Sequence, residues 1–435
     1  MPTTVSTRFN RAFGKLRGNK AGSAITVFAI LTPVIIGSAG LSVDVVSWYL
    51  TKRQLQSAVD GAALAGTQVL GYTGSVSQAV AAAQADFSQN APAAISAATI
   101  TVTSPPTTGA YAGDARAVEA NLNFAHPLHF AKIALSSDVV ITTRAVGKVV
   151  NGGPNCVLAL DKTVGRAIEF TGSADVTLDC GITSNSGSAE SIYIAGSAEL
   201  TADPAVAVGD IMIGGSSSFH TNHPPQPLSL PARDPYGSEG VNLQASPSGP
   251  CLQNNYHVNG SEVLVPGRYC GGIQFSGGSS TTFLPGVYYM DGGSFKSAGG
   301  ASISGAGVTI VLTGSGSDYA TVNIAGGTNM TMSAPPSGSE FEGVLMYQDQ
   351  NAPTYQGSTL ITNKLLGGSG LDIEGVIYFP SQALEFTGGS AGSIGCLKII
   401  AKQVQFSGSA NISSAECTLG TGVDEMSIMQ VKLVE

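Results

Sequence analysis

Six cysteines carry the clearest chemistry in this 435-residue chain: Cys156, Cys180, Cys251, Cys270, Cys396 and Cys417. They are even in number and none forms a CxxC pair, which disfavours zinc or a thioredoxin-like role and favours disulfides in an oxidising compartment. Two histidine pairs could share a metal by spacing, His126 with His129 in HPLH and His220 with His223 in HTNH. No carboxylate or cysteine is close in sequence to the first pair and two prolines follow the second, so both read as loops. Three carboxylate pairs could do acid–base work: Asp175 with Asp179, Glu340 with Glu342, and Asp372 with Glu374. At i, i+2, the spacing of the last two pairs, a strand puts both side chains on one face. Hydrolysis needs more convergence than that, and no His, Arg or second acidic motif accompanies any pair. A nucleophile elbow, a P-loop and a Rossmann fingerprint are absent. The expectation is a non-enzymatic protein with no catalytic, cofactor-binding or metal residues.

The elements around these residues begin with charge. The net charge is −9, yet Arg8, Arg11, Lys15, Arg17 and Lys20 precede residue 21 with no acid among them, which leaves −14 for the rest. An acidic chain of that kind argues against nucleic-acid binding. Only 11% of residues are charged and 56 are glycine, a composition that suits short strands and tight turns in an exported, mainly β structure.

Residues 21–43, from Ala21 to Val43, form an uncharged and mostly apolar run between Lys20 and Asp44. As a helix it would reach roughly 34 Å, enough to cross a hydrocarbon layer of about 30 Å. It is longer than a signal-peptide core and continues without a polar break. Pro33 within it is better tolerated by membrane helices than by soluble ones. The basic tail marks the cytoplasmic side, and Trp48 and Tyr49 fall where an outer aromatic belt would lie. The reading is a retained single-pass membrane anchor, with the N-terminus in the cytoplasm and the remainder outside; the resemblance described next implies that the membrane is a bacterial inner membrane and the far side the periplasm or the exterior. Residues 45–70 keep apolar or small residues near a 3.6 period and read as a helical stalk ended by Gly71 and Gly74. A second helix is expected from Ser75 until just before Pro92. Residues 100–103, 117–124 and 139–146 then alternate as strands do, giving a small α+β domain beside the membrane.

The ordered set Gly22-Ser23, Pro33, Gly40-Leu41, Val43-Asp44, Tyr49, Lys52-Arg53, Leu55-Gln56 and Asp60-Gly61-Ala62-Ala63-Leu64-Ala65 resembles the N-terminal module of TadG-type proteins of the tight-adherence (Flp) pilus system. That resemblance implies a membrane-anchored pilus component whose partners are the bilayer and other Tad/Flp proteins, including TadE/TadF-like pseudopilins and the pilus machinery. Related pilins carry a Glu shortly after a processing glycine. Here Ser23, Ala24, Ile25, Thr26, Val27 and Phe28 follow Gly22, so a permanently anchored factor fits better than a processed shaft subunit.

Beyond Cys156 a phrase recurs: an apolar residue, a small one, glycine, then small polar residues. It occurs around Gly172, Gly196, Gly215, Gly277, Gly326, Gly368, Gly388 and Gly408. The short spacings are about twenty residues and the long ones look like two or three multiples, the signature of a solenoid. Stacking would set Phe over Ile over Phe in one column. A parallel β-helix is the reading, with a β-sandwich or jelly roll as alternatives. The stretch 220–251 holds seven prolines and reads as an excursion across the surface of the stack. Since sequence-adjacent cysteines lie about one unit apart, the expected bridges are 156–180, 251–270 and 396–417. The Gly/Ser-rich region also looks like the ectodomain of some TadG-type proteins, although the Asp-x-Ser-x-Ser site of members with a von Willebrand A domain is missing.

The expected organisation is thus a basic cytoplasmic tail at 1–20, the transmembrane helix at 21–43, a stalk and α+β domain at 44–150, a β-helix-like ectodomain at 151–420 and a C-terminal tail at 421–435. The expected role is support of pilus assembly, anchoring or surface adhesion, with cell-surface glycans as candidate ligands. A membrane-tethered carbohydrate-active enzyme or carbohydrate-binding adhesin of β-helix type is the alternative.

Overall fold

The computed structural model describes residues 20–92, 98–133, 135–237, 243, 245–366, 370–388, 391–394, 396–414 and 427–435. Two compact units emerge, one made of residues 1–149 with 431–435 and the other of residues 150–430. The second unit is therefore an insertion within the first. The expected tail at 421–435 is corrected accordingly: Ser427–Leu433 is a strand, and residues 434 and 435 exchange 2.9 Å backbone hydrogen bonds with Val146. Alternation of Met429, Val431 and Leu433 with polar Gln430 and Lys432 is the local reason.

In the first unit, helix α1 (Lys20–Thr73) joins anchor and stalk in one rod of 54 residues. It stops at Gly74, whose φ of 68° is open to glycine at little cost and whose N–H reaches the Leu70 carbonyl at 2.8 Å. Ser75 then caps α2 (Val76–Asn90), its hydroxyl accepting from the Gln78 N–H. Strands β1 (Thr101–Thr103), β2 (Ala117–His126) and β3 (Val139–Ala159) follow; β2 pairs antiparallel with β1 and with β3 as far as Lys148. Leu55, Val59 and Ala62 on α1, Phe87 on α2, and Leu122 and Ile141 on the sheet share one core. Small residues set how closely these layers approach. A Cβ on Gly66 would lie 3.0 Å from the Ala79 carbonyl oxygen, and one on Gly147 would lie 2.3 Å from Thr67 Oγ1 and 2.8 Å from the Ala63 carbonyl oxygen.

The second unit is a three-sided parallel coil. On the third side, Asp175–Leu178 points Val176 and Leu178 inward and Asp175 and Thr177 outward. The parallel registers set aside the antiparallel sandwich and jelly-roll alternatives. The coils do not stack in chain order from first to last. Residues 253–264 start the stack, and successive coils climb through 267–283, 286–305, 308–333, 344–374 and 375–394 to 397–414. The coil at 397–414 then pairs with 157–178, the first in sequence, and the stack continues through 181–201 to 205–220. The solenoid is thus circularly permuted, with its chain ends meeting in the middle of the stack.

One column shows the continuity. Ile324, Leu365, Phe386, Phe406, Phe170, Ile194 and Ile213 occupy matched positions on successive coils. The Phe406 ring stacks on Phe170 at 4.9 Å and on Phe386 at 5.2 Å, nearly parallel to both. The recurring phrase is read correctly as one coil, but two of its long spacings are not multiples. Between Gly326 and Gly368 lies a single coil step, because Ile324 pairs directly with Leu365 and the extra residues form an outlying loop with a small hairpin at 355–360. Between Gly215 and Gly277 lies one coil plus the proline-rich stretch.

That stretch is a strap running back down the flank. It leaves the top coil through a Val206–Gln226 bridge, and Asn185 then brackets Ala232 with two hydrogen bonds of 2.7 and 2.9 Å. Tyr236 meets Tyr378 edge-on at 5.1 Å, and the Tyr378 hydroxyl donates to Asp234 at 3.0 Å. Burial pushes the Asp234 carboxyl above its ordinary value against the opposing hydrogen bonds from Tyr236, Tyr378 and Gly237. Lower down, Arg268 donates to the Gly249 carbonyl at 2.9 Å. Tyr236, Leu243, Phe341, Tyr347 and Tyr378 form a second apolar cluster outside the coil's own core.

Candidate functional site

Most flagged carboxylates and the HTNH histidines lie on the surface of the solenoid, whereas Cys156 and Cys180 are buried in its core. Cys156 is bonded to Cys180 and Cys251 to Cys270, with Cα separations of 5.6 and 5.7 Å, each bridge joining neighbouring coils. Cys396 is disulfide-bonded as well; Cys417, its expected partner, lies outside the described residues. Asp175, Asp179, Asp372 and Glu374 face solvent, as does Glu340, while Glu342 accepts from the Gly338 N–H at 2.9 Å. His220 and His223 each meet a separate carboxylate, Glu199 at 3.4 Å and Asp203 at 2.8 Å. His220 and Asp203 border an open groove of about 590 Å³ lined also by Asp179, Phe219, Thr221 and Asn222. Burial raises the Asp203 carboxyl, but hydrogen bonds from His223 and Thr221 hold it below its ordinary value. Among the described residues no three His, Cys, Asp or Glu side chains gather as a metal site would require.

The more organised arrangement is on α1. From Ile25 to Leu50 its large apolar residues, apart from half-buried Trp48, are exposed: Phe28 at 69%, Ile36 at 63% and Val46 at 56%. From Leu55 onward they are buried against α2 and the sheet. Such an exposed apolar stretch agrees in length and character with a lipid-facing surface, and one helix of the described residues is long and apolar enough to span a bilayer. At the changeover the loop after β2 closes on the helix. Phe130 lies over Gly40, where an added Cβ would come within 2.8 Å of its ring. Fully buried Asp44 accepts from the Ala131 N–H at 2.5 Å, and Ser47 meets His126 Nε2 at 3.3 Å. Of the HPLH histidines His126 ends β2 and His129 sits in this loop, with their rings 6.3 Å apart, edge to face.

Residues 22–85 match the family described as Tad, putative Flp pilus-assembly TadE/G-like. No curated protein and no solved structure matches the chain. The matched span takes in the exposed anchor, the buried stalk and most of α2. It supports a role associated with Flp pilus assembly and agrees with a single-pass membrane anchor.

Several residues of the Tad module now have a structural task. Gly40 admits the Phe130 ring, and Asp44 terminates the Ala131 N–H. Gln56 donates to the Arg144 carbonyl at 2.8 Å and to Asp60 at 2.7 Å, tying α1 to β3. Gly61 leaves room for Asp86 of α2, whose Oδ2 would lie 2.9 Å from a Cβ there. The loop contacts with Gly40 and Asp44 were not anticipated, since they join positions more than eighty residues apart. A short polar residue at the end of an apolar run was the one available signal.

An ionic knot joins neighbouring strands β2 and β3 of this unit's sheet. Glu119, with its side chain fully covered, receives Arg144 Nε at 2.6 Å, the Thr107 N–H at 2.8 Å and the Thr108 hydroxyl at 2.9 Å. Arg144 also pairs with Glu435, so the C-terminal strand is pinned here. Burial alone would raise the Glu119 carboxyl. Hydrogen bonds from Asn121, Arg144, Thr107 and Thr108 outweigh it and bring the pKa to about 2. Because the folded value lies below the ordinary 4.5, this contribution is complete above 4.5 and is lost as pH falls toward 2. Acid denaturation of the full chain in detergent micelles should show the Tad-containing unit losing on the order of 3 kcal/mol over that window. Glu119→Gln should be less stable at neutral pH and should lack that acid-dependent step; an unchanged step would remove Glu119 as its source.

Proposed function

We propose that this chain is a non-enzymatic, single-pass component of a Flp/Tad pilus system. It is held in the bacterial inner membrane by α1 and carries both folded units on the extracytoplasmic side, where it supports pilus assembly, anchoring or surface adhesion. The observation that carries this reading is the coincidence of the Tad match with a helix that is apolar and exposed at one end and buried in a folded unit at the other. The five basic residues before residue 21 favour a cytoplasmic N-terminus, and disulfides between coils favour an oxidising exterior. Pseudopilins and other pilus machinery are the proposed partners through the Tad module, and surface glycans the proposed ligands of the solenoid. Outward-facing carboxylates on the coil faces support a binding or scaffolding ectodomain over a hydrolytic one.

In cells that carry this chain, removal of the gene should abolish surface pili and adhesion, and the full-length protein should restore both. A version lacking residues 150–430 that still restores pili but not adhesion would assign adhesion to the solenoid. Unaltered piliation after gene removal would overturn the reading.

A further inference from the structure

The loop that closes over Gly40 sits at an unusual height. Gly40 lies within the apolar run of α1, one helical turn or about 6 Å below Asp44, the first charged residue after it. The loop bearing Phe130 therefore rests on α1 at a level inside the span. Phe130 keeps 52% of its surface exposed and Leu135 keeps 43%, while Leu128 and Ala131 are buried beneath. Neighbouring Leu41 and Val45 on α1 are 48% and 49% exposed, so the apolar surface runs from helix to loop.

We propose that this loop, with Phe130 and Leu135 at its surface, is a second membrane contact that enters the outer interface of the same bilayer. The proposal rests on α1 being a membrane anchor. Backbone placed at that depth must bring its hydrogen bonds with it. Two N–H groups of this loop are met in that way: the Ala131 N–H is taken by Asp44, and the Leu135 N–H reaches the Ala131 carbonyl at 2.8 Å. Aromatic and aliphatic side chains that enter an interface usually sink about 5–10 Å, which agrees with the level of Gly40. Exposed Lys132 is placed to reach lipid phosphate with its ammonium while its methylenes stay in the apolar zone. Two attachments, helix and loop, would fix the tilt and rotation of the Tad-containing unit on the membrane, whereas one helix alone leaves it free to swivel.

The chain has one tryptophan, Trp48, so Trp48→Phe gives a silent background for single reporters. Full-length protein carrying W48F with F130W, reconstituted in phosphatidylcholine–phosphatidylglycerol vesicles, should be quenched at least about twofold by bromines on the upper acyl chain and little by aqueous iodide. L135W on the same background gives an independent reading should the change at position 130 disturb the fold. F28W, deep in the span, reports on the anchor itself. Bromine quenching of F28W together with iodide quenching of both loop reporters would overturn the second contact and leave the anchor standing. Failure of bromine to quench F28W would overturn the anchor and the second contact with it.

Discussion

Phe406→Ala should cost the solenoid about 3–5 kcal/mol, the usual range for removing a fully buried phenyl ring. Phe406 has no exposed surface and is sandwiched between Phe386 and Phe170. Those two neighbours belong to coils at opposite ends of the sequence. The lost ring therefore leaves a gap at the seam where the last coil meets the first, and backbone pairing along 403–407 keeps that gap from collapsing. Urea unfolding of the full chain in detergent, followed by circular dichroism, should show the solenoid transition move to lower urea while the transition of the helix-containing unit stays in place. A shift worth less than about 1 kcal/mol would mean that the seam is not packed as described.

Gly147→Val should unfold the Tad-containing unit while sparing the solenoid. Overpacking usually costs 1–3 kcal/mol, and about 3 kcal/mol or more is expected here because the obstruction is backbone as well as side chain. The added Cβ would sit 2.8 Å from the Ala63 carbonyl oxygen within α1, which cannot rotate away. It would also meet Thr67 Oγ1, which is already committed to the Ala63 carbonyl at 2.7 Å. Thr67→Ala in the same chain should rescue only part of the loss, since the carbonyl remains. Full rescue would place the whole conflict on the hydroxyl. The readout is the helix signal on heating, with loss of exchange protection along residues 139–149 as the local marker.

How far such features could be foreseen differs between the two units. Helices, caps and strands of the first unit follow from local patterns: Ser75 and Pro92 bracket α2, and alternation marks β2 and β3. The coil unit was equally legible, because an apolar residue before each turn glycine must line one column. Coil order was not. Phe170-Thr-Gly-Ser-Ala and Phe406-Ser-Gly-Ser-Ala are nearly interchangeable phrases, so local sequence cannot say that they are neighbours in space. The strap was recognised by its prolines, yet its path depended on contacts such as Tyr236 with Tyr378 that no spacing encodes. At the candidate site the anchor was evident from hydropathy, whereas the role of Asp44 required knowing where Ala131 would fall. Asp44 looked like the end of the span; it is also a ligand for backbone.

The permuted stack has a consequence for biogenesis. The coils at 155–220 leave the ribosome first, with the strand edge along 157–178 uncovered until residues 397–414 have followed. An open parallel edge is a template for wrong partners, and closing it late requires a long-range pairing that forms slowly. Early coils are thus committed to wait. Holding factors that cover this edge would favour correct closure over intermolecular joining, and a chain truncated anywhere before residue 397 would carry a permanently adhesive edge.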